Sequence, residues 1–135
     1  MSSPDPTIHH AADTVALVKR VEGRKLGRAA LAAFTQAEAG SGSIYIPGLV
    51  FAEVLYLSEK KRIKVTVPDV LAYMGRYPCY EELPLDSAIV TAAAAIQDIP
   101  ELHDRLIAGS ALFLQVPLIT NDPVIQASKS VKTVW

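Results

Sequence analysis

Cysteine is almost missing from this chain. The single thiol, Cys79, excludes an internal disulfide and any cysteine-based metal cluster. It stands in an apolar, strand-like run with no histidine beside it, which reads as a core position. Aromatic residues are few, at 7%, and no RNA-recognition motif with stacked rings is visible. The 7 glycines are scattered, so there is no glycine-rich phosphate loop. The 3 histidines lack the paired spacing of a zinc site, and nothing around Ser110 resembles a nucleophile elbow. Long hydrophobic runs are missing as well. None approaches the ~20 residues needed to span a bilayer. Met1 to Pro6 has neither the charged region nor the apolar region of a secretory signal. The expectation is a soluble, cytoplasmic protein with no membrane role.

What is present is a composition that builds a core. Half of the 135 residues are apolar and a fifth are charged, which fits one domain of ordinary size. The formal net charge is −1, so no global positive field draws in nucleic acid. Most of the 13 basic residues nevertheless fall in two clusters. One is Lys19, Arg20, Arg24, Lys25 and Arg28, and the other is Lys60, Lys61, Arg62 and Lys64. Solvated helix ends and phosphate-binding patches are both open readings of these clusters.

Residues 1–6 read as a flexible tail and residues 7–135 as a single α/β domain. A strand over Thr7 to Ala12 ends at Asp13. A helix carrying Val15, Leu17, Val18 and Val21 stops near Gly23. An alanine-rich helix over Gly27 to Ala39 is closed by Gly40. Ile44 to Ile46 is a strand, and Pro47 opens a helix reaching about Lys60. Asp69 is expected to cap a helix over Val70 to Arg76. Cys79 to Leu83 reads as a strand, and Asp86 caps a helix over Ser87 to Gln97. Asp98 and Glu101 have capping-box spacing before a helix over Glu101 to Leu114. Pro117 to Thr120 is a strand, Asn121 to Pro123 opens a short helical turn, and Val131 to Trp135 is a last strand. Strands thus alternate with helices. The simplest solution is a three-layer α/β/α domain around a parallel sheet of about five strands. Sites in such sheets form outside the carboxyl ends of the strands, where strand order reverses.

Four carboxylates stand out. Glu53 is the one charged residue between Pro47 and Leu57, on a helical face with Leu49, Val50, Tyr56 and Leu57. It needs a partner there, whether an Arg or Lys across a helix contact, a proton or a metal. Asp13 and Asp122 each follow a strand and precede a helix. N-capping accounts for either alone. If their strands are central, the two acids stand side by side and repel, and something positive belongs between them. Asp104 lies too far into its helix to be a simple cap, although the helix dipole favours an acid there.

These residues resemble a PIN domain, and more narrowly a VapC-like toxin of a type II toxin–antitoxin system. The similar segments are Asp13-Thr14 after a strand, Ile44 to Pro47 leading to Ala52 to Leu55, Glu101 to Ala108, and Leu118 to Asp122. They cover nearly the whole chain. By resemblance Asp13, Glu53, Asp104 and Asp122 form the family's acidic quartet, Glu101 is a further acid, and Thr120 is a polar neighbour. The departures are His9 and His10 in the first strand, Val15 for a frequent histidine, Lys19 and Arg20 at positions that tend to be aromatic or apolar, and Gly109-Ser110 for the usual Ala-Thr.

The resemblance implies a metal-dependent endoribonuclease. Carboxylates converging in one cleft repel one another unless they hold cations, and an all-oxygen donor set selects hard ions, so Mg²⁺ or Mn²⁺ is expected. Asp13 and Asp122 are expected to contact it. Asp104 would serve a second ion or a hydrated one, and Glu53 would orient the attacking water. The implied partners are an RNA substrate, a second copy of the chain in a homodimer, and a small antitoxin. A PIN fold that binds RNA or protein without cutting remains the alternative.

Overall fold

The protein, a computed structural model, is described over residues 8–135. The expected tail over residues 1–6, and the expected start of the first strand at Thr7, lie outside the described residues. Strands β1 (Ile8–Ala12), β2 (Gly42–Pro47), β3 (Tyr80–Leu83), β4 (Leu118–Ile119) and β5 (Thr133–Val134) form one parallel sheet in the order β3-β2-β1-β4-β5. Helices α1 (Thr14–Val21), α2 (Arg28–Gln36), α3 (Gly48–Glu59), α4 (Val67–Met74), α5 (Ser87–Ala94), α6 (Leu102–Leu114) and α7 (Pro123–Gln126) flank it. The result is the three-layer α/β/α architecture expected from the alternation of elements. No helix among the described residues is long and apolar enough to cross a membrane.

Sandwiching between helices shows in the strands. Ala11 and Ala12 are both fully buried, as are Leu118 and Ile119, because both faces of these central strands are covered. Ile44 and Ile46 of β2, Leu17 of α1, Phe34 of α2 and Val50 and Val54 of α3 complete the middle of the core. Cys79 is buried just before β3, as a core thiol should be.

Helix ends follow local chemistry, with some corrections to the sequence reading. Thr66, not Asp69, caps α4: its hydroxyl accepts the Asp69 N–H, and the Thr66 N–H donates to the Asp69 carboxylate. The helix therefore starts earlier than expected, with Pro68 inside its first turn. Glu101 caps α6, accepting the Asp104 N–H at 2.7 Å. Asp98 takes no part in that cap. It fastens the segment after α7, accepting from the Ser128 hydroxyl at 2.7 Å and the Lys129 N–H at 2.8 Å. The alanine-rich helix ends at Gln36 and continues as a single π-helical turn, Ala37–Ser41, in which Gly40 takes φ of 100°. Such a backbone angle suits glycine alone.

That turn carries Glu38 into the interior. Its side chain accepts from the Arg20 guanidinium at 2.6 and 3.2 Å, from the Tyr73 hydroxyl at 2.7 Å and from the Tyr80 hydroxyl. Burial pushes the Glu38 carboxyl up, but the bonds from Arg20, Tyr80 and Tyr73 outweigh it and hold the group below its usual value. Arg20 is thus a structural cation linking α1, α2's extension, α4 and β3. It is not available to a phosphate, so the first basic cluster must be read without it.

The Gly109-Ser110 departure has a packing cause. A Cβ on Gly109 would sit 2.8 to 2.9 Å from Ala93 Cβ, Cα and N, so α5 and α6 meet backbone to backbone there. Ser110 turns its hydroxyl back to the Leu106 carbonyl at 2.9 Å. Gly109→Ala is expected to destabilise the fold by about 1–3 kcal/mol, the usual cost of overpacking, despite its better helix propensity. Urea denaturation measures this. A variant as stable as the native chain would show that the two helices can separate freely.

Candidate active site

Chain order sets the place of the site. From β1 the sheet grows to β2 and β3 on one side, and then to β4 and β5 on the other. The crevice between β1 and β4 is therefore the point where strand order reverses. Ala12 pairs with Ile119, and the Asp13 N–H donates to the Ile119 carbonyl at 3.1 Å. Asp13 and Asp122 consequently leave the carboxyl edge of the sheet beside one another.

Both acids do cap helices. Asp13 Oδ1 accepts the Ala16 N–H at 2.9 Å, and Asp122 Oδ1 accepts the Val124 and Ile125 N–H groups at 2.9 and 3.1 Å. Capping and cleft lining coexist, because Oδ1 makes the cap in each. The cap also locks each carboxylate against rotation. Thr120, fully buried, lies between them, and its hydroxyl accepts the Asp122 N–H at 3.0 Å.

Glu53 enters from α3 and Asp104 from the first turn of α6. Together with Asp13 and Asp122 they line one small cleft of about 100 Å³, whose apolar wall includes Ile107 and Ile125. Among the described residues no Arg or Lys pairs with Glu53. The Thr14 hydroxyl donates to its Oε1 at 2.7 Å. Thr14 was not singled out for a role in the sequence, although it directly follows Asp13. The face that carries Glu53 is also more open than its apolar character suggests: Tyr56 is 53% exposed. Leu49, Ala52, Tyr56, Leu57 and His103 surround a groove of about 510 Å³ that borders Glu53. Glu101, by contrast, is an exposed cap paired with His103 at 3.1 Å and does not line the cleft.

Electrostatic strain marks this place. Burial pushes the Asp13 carboxyl up to about 6. The Thr120 hydroxyl and the Ala16 N–H oppose that shift, while the charges of Asp122 and Glu53 add to it. Asp104 also rises to about 6, through burial first and then through Asp122, Glu101 and Glu53. Four acids line the cleft, and no basic side chain is among its lining residues. Perturbed carboxyls gathered in a cleft are a hallmark of functional sites.

Among the described residues no three acidic, histidine or cysteine side chains are drawn together as a ready-made metal cage. The donor set nevertheless suits one kind of ion. Mg²⁺ and its like are held by one or two carboxylates, keep several waters, and take the remaining contacts from a phosphate. Separate carboxylate oxygens around a small polar cleft fit that mode of binding.

These features define an α/β/α domain with an acidic cleft at the carboxyl edge of its sheet, at the switch point. The chain belongs to the PIN domain family, whose profile matches residues 11–129. No protein of curated function matches it in sequence. Solved structures share the fold. A VapBC2 complex from Rickettsia felis, bound to a DNA fragment from its promoter, is similar with a TM-score of 0.71 and 16% identity, over 94% of this chain and 98% of that one. A DNA-bound VapBC from Salmonella typhimurium gives 0.68 at 16% identity, over 94% and 97%. A toxin–antitoxin complex from Klebsiella pneumoniae gives 0.67 at 20% identity, over 93% and 96%.

Proposed function

We propose that this chain is a metal-dependent endoribonuclease that hydrolyses RNA phosphodiester bonds, as the toxin of a toxin–antitoxin pair. The observation that carries the reading is the convergence of Asp13, Glu53, Asp104 and Asp122 on one cleft at the sheet's switch point. RNA is the proposed substrate because the sequence resembles VapC-like toxins. An antitoxin is the proposed partner because the similar folds come from complexes of that kind.

Asp13, Asp122 and Asp104 are the residues assigned to hold Mg²⁺ or Mn²⁺, with Glu53 completing the set. A divalent ion there would neutralise phosphate charge and make a water molecule more acidic. The side chains have distinct tasks. Asp13 and Asp122 are pre-oriented by the helix ends they cap, so little order is lost when substrate arrives. Thr14 fixes Glu53 through Oε1, and Glu53 is assigned to orient the attacking water and accept its proton. Attack by the water oxygen would form one P–O bond at phosphorus as another breaks; the proton that water gives to Glu53 passes on to solvent, and the leaving oxygen draws a proton from the same solvent. The exposed groove bordering Glu53 offers apolar surface to a partner chain, and a homodimer would lengthen the track for RNA.

A catalytically idle RNA- or protein-binding module is the second reading, and the departures around the first strand, His9 and His10 within it and Val15 just after it, are what favour it. Incubation with total RNA separates the two. The nuclease reading expects cleavage with Mn²⁺ that EDTA abolishes. RNA that stays intact under both conditions, while still shifting in a gel with the protein, supports the idle module instead.

A further inference from the structure

Asn121 lines the acidic cleft and also a second cavity of about 240 Å³ beside it. The other walls of that cavity are Lys19, Lys25, Leu26, Gly27 and Trp135. The first basic cluster divides in space around it. Arg20 is bound to Glu38 and Arg24 to Glu22, whereas Lys19 and Lys25 have no carboxylate within salt-bridge distance among the described residues. Two lysines therefore line a cavity adjoining four carboxylates, with Asn121 lining both sites.

The cavity is built rather than incidental. Trp135 follows β5, so it leaves the sheet at the same carboxyl edge as Asp13 and Asp122. Its carbonyl accepts the Ala30 N–H at 2.7 Å, which satisfies the end of α2 that Gly27 cannot cap with a side chain. Any side chain at Gly27 would collide with the Trp135 backbone and indole, so glycine lets the ring lie flush against the chain. The Lys19 ammonium stands 5.9 Å from the centre of that ring, an arrangement that steadies a long side chain without neutralising it. A flat apolar wall, two cations and an amide are what one nucleotide of a strand requires: charge for its phosphate, and a surface for its sugar or base.

We propose that Lys19, Lys25 and Trp135 form a phosphate-binding subsite for the substrate strand, joined to the acidic cleft by Asn121. It would hold a nucleotide flanking the one cut, and it reads backbone rather than sequence. Calling that strand the substrate rests on the nuclease reading, but the subsite is tested by binding alone.

The test is fluorescence anisotropy with a labelled ten-residue oligouridylate in EDTA, between about 50 and 200 mM salt. Native protein is compared with Lys19→Gln/Lys25→Gln and with Lys129→Gln/Lys132→Gln, which removes the same charge elsewhere. Circular dichroism checks that each folds. The first pair is expected to raise Kd about tenfold and to lower the salt slope by ~1.4, about 0.7 for each lost phosphate contact to a single strand. The second pair should change both less. Trp135, the one tryptophan, should also change its emission on titration with the same oligonucleotide. Equal effects of the two pairs, an unchanged Kd and slope in the first, or no binding by native protein would each overturn the subsite. If native protein cuts RNA while the first pair binds normally, the subsite alone fails. If native protein binds through these lysines but never cuts, the nuclease reading fails and the subsite stands.

Discussion

Asp104→Asn is expected to lower the rate of RNA cleavage by about 10²–10³-fold while leaving the fold intact. The magnitude is that of removing one preorganised electrostatic group from a reaction centre. The substitution is clean because Asp104 has no structural duty to lose. Glu101 caps α6, and only the main chain of Asp104 takes part in that cap. The Asp104 carboxyl faces the cleft, where the charges of Asp122, Glu101 and Glu53 already press on it. Asparagine keeps the shape and removes the charge that a cation would need. Glu101→Gln supplies the contrast: that side chain is exposed and outside the cleft, and the glutamine oxygen can still accept the Asp104 N–H, so only one charge beside Asp104 is lost and cleavage should stay within about threefold of native. Single-turnover cleavage in Mn²⁺ measures both. Equal losses in the two variants would mean that the α6 terminus, not the cleft, controls the reaction.

The residues behind that contrast also show what a linear reading can reach. Asp13 and Asp122 were legible because strand, acid and helix are adjacent in the chain, and the parallel alternation of elements sets their strands side by side. Glu53 was legible as an anomaly, a lone charge in an apolar helix. Its partner was not, because Thr14 lies 39 positions away. The Glu38 network was hidden for the same reason. Its donors are 18, 35 and 42 positions distant, and Arg20 looked like one more cation in a basic cluster. Asp69 and Asp98 were misplaced because several polar residues near a helix start compete for one cap, and tertiary contacts choose among them. Strands β4 and β5 pair over two residues each, fewer than the runs Pro117 to Thr120 and Val131 to Trp135 read from the sequence.

Asp13→Asn carries a stability expectation of opposite sign to that of most substitutions in a buried site. In the absence of divalent ions it should make the protein more stable at pH 7.5, by about 1–3 kcal/mol. Folding raises the Asp13 carboxyl from 3.8 to about 6, so the folded chain holds a proton that the unfolded chain has released between those two pH values. Stability from this group is therefore intact below about 4, is lost as pH rises through about 6, and stays lost above it. At ~1.4 kcal/mol per pKa unit, some 3 kcal/mol is the upper bound of that loss. Asparagine removes the loss and still caps α1, because Asn and Asp are comparable N-caps. The gain should fall short of the bound, since the new amide hydrogens need acceptors and the other acids relax. At pH 4.5 most of the difference should vanish. Added Mn²⁺ should reverse the order at pH 7.5: an ion at about 1,000 times its Kd stabilises the native fold by about 4.1 kcal/mol, and the variant binds it weakly. Urea unfolding at both pH values, with EDTA and with Mn²⁺, gives the four comparisons. A variant less stable than native in EDTA at pH 7.5 would mean that Asp13 is needed for its contacts rather than tolerated for its charge. Native stability that ignores Mn²⁺ would mean that the acids are not relieved by a cation, and the repulsion among them would then need another purpose.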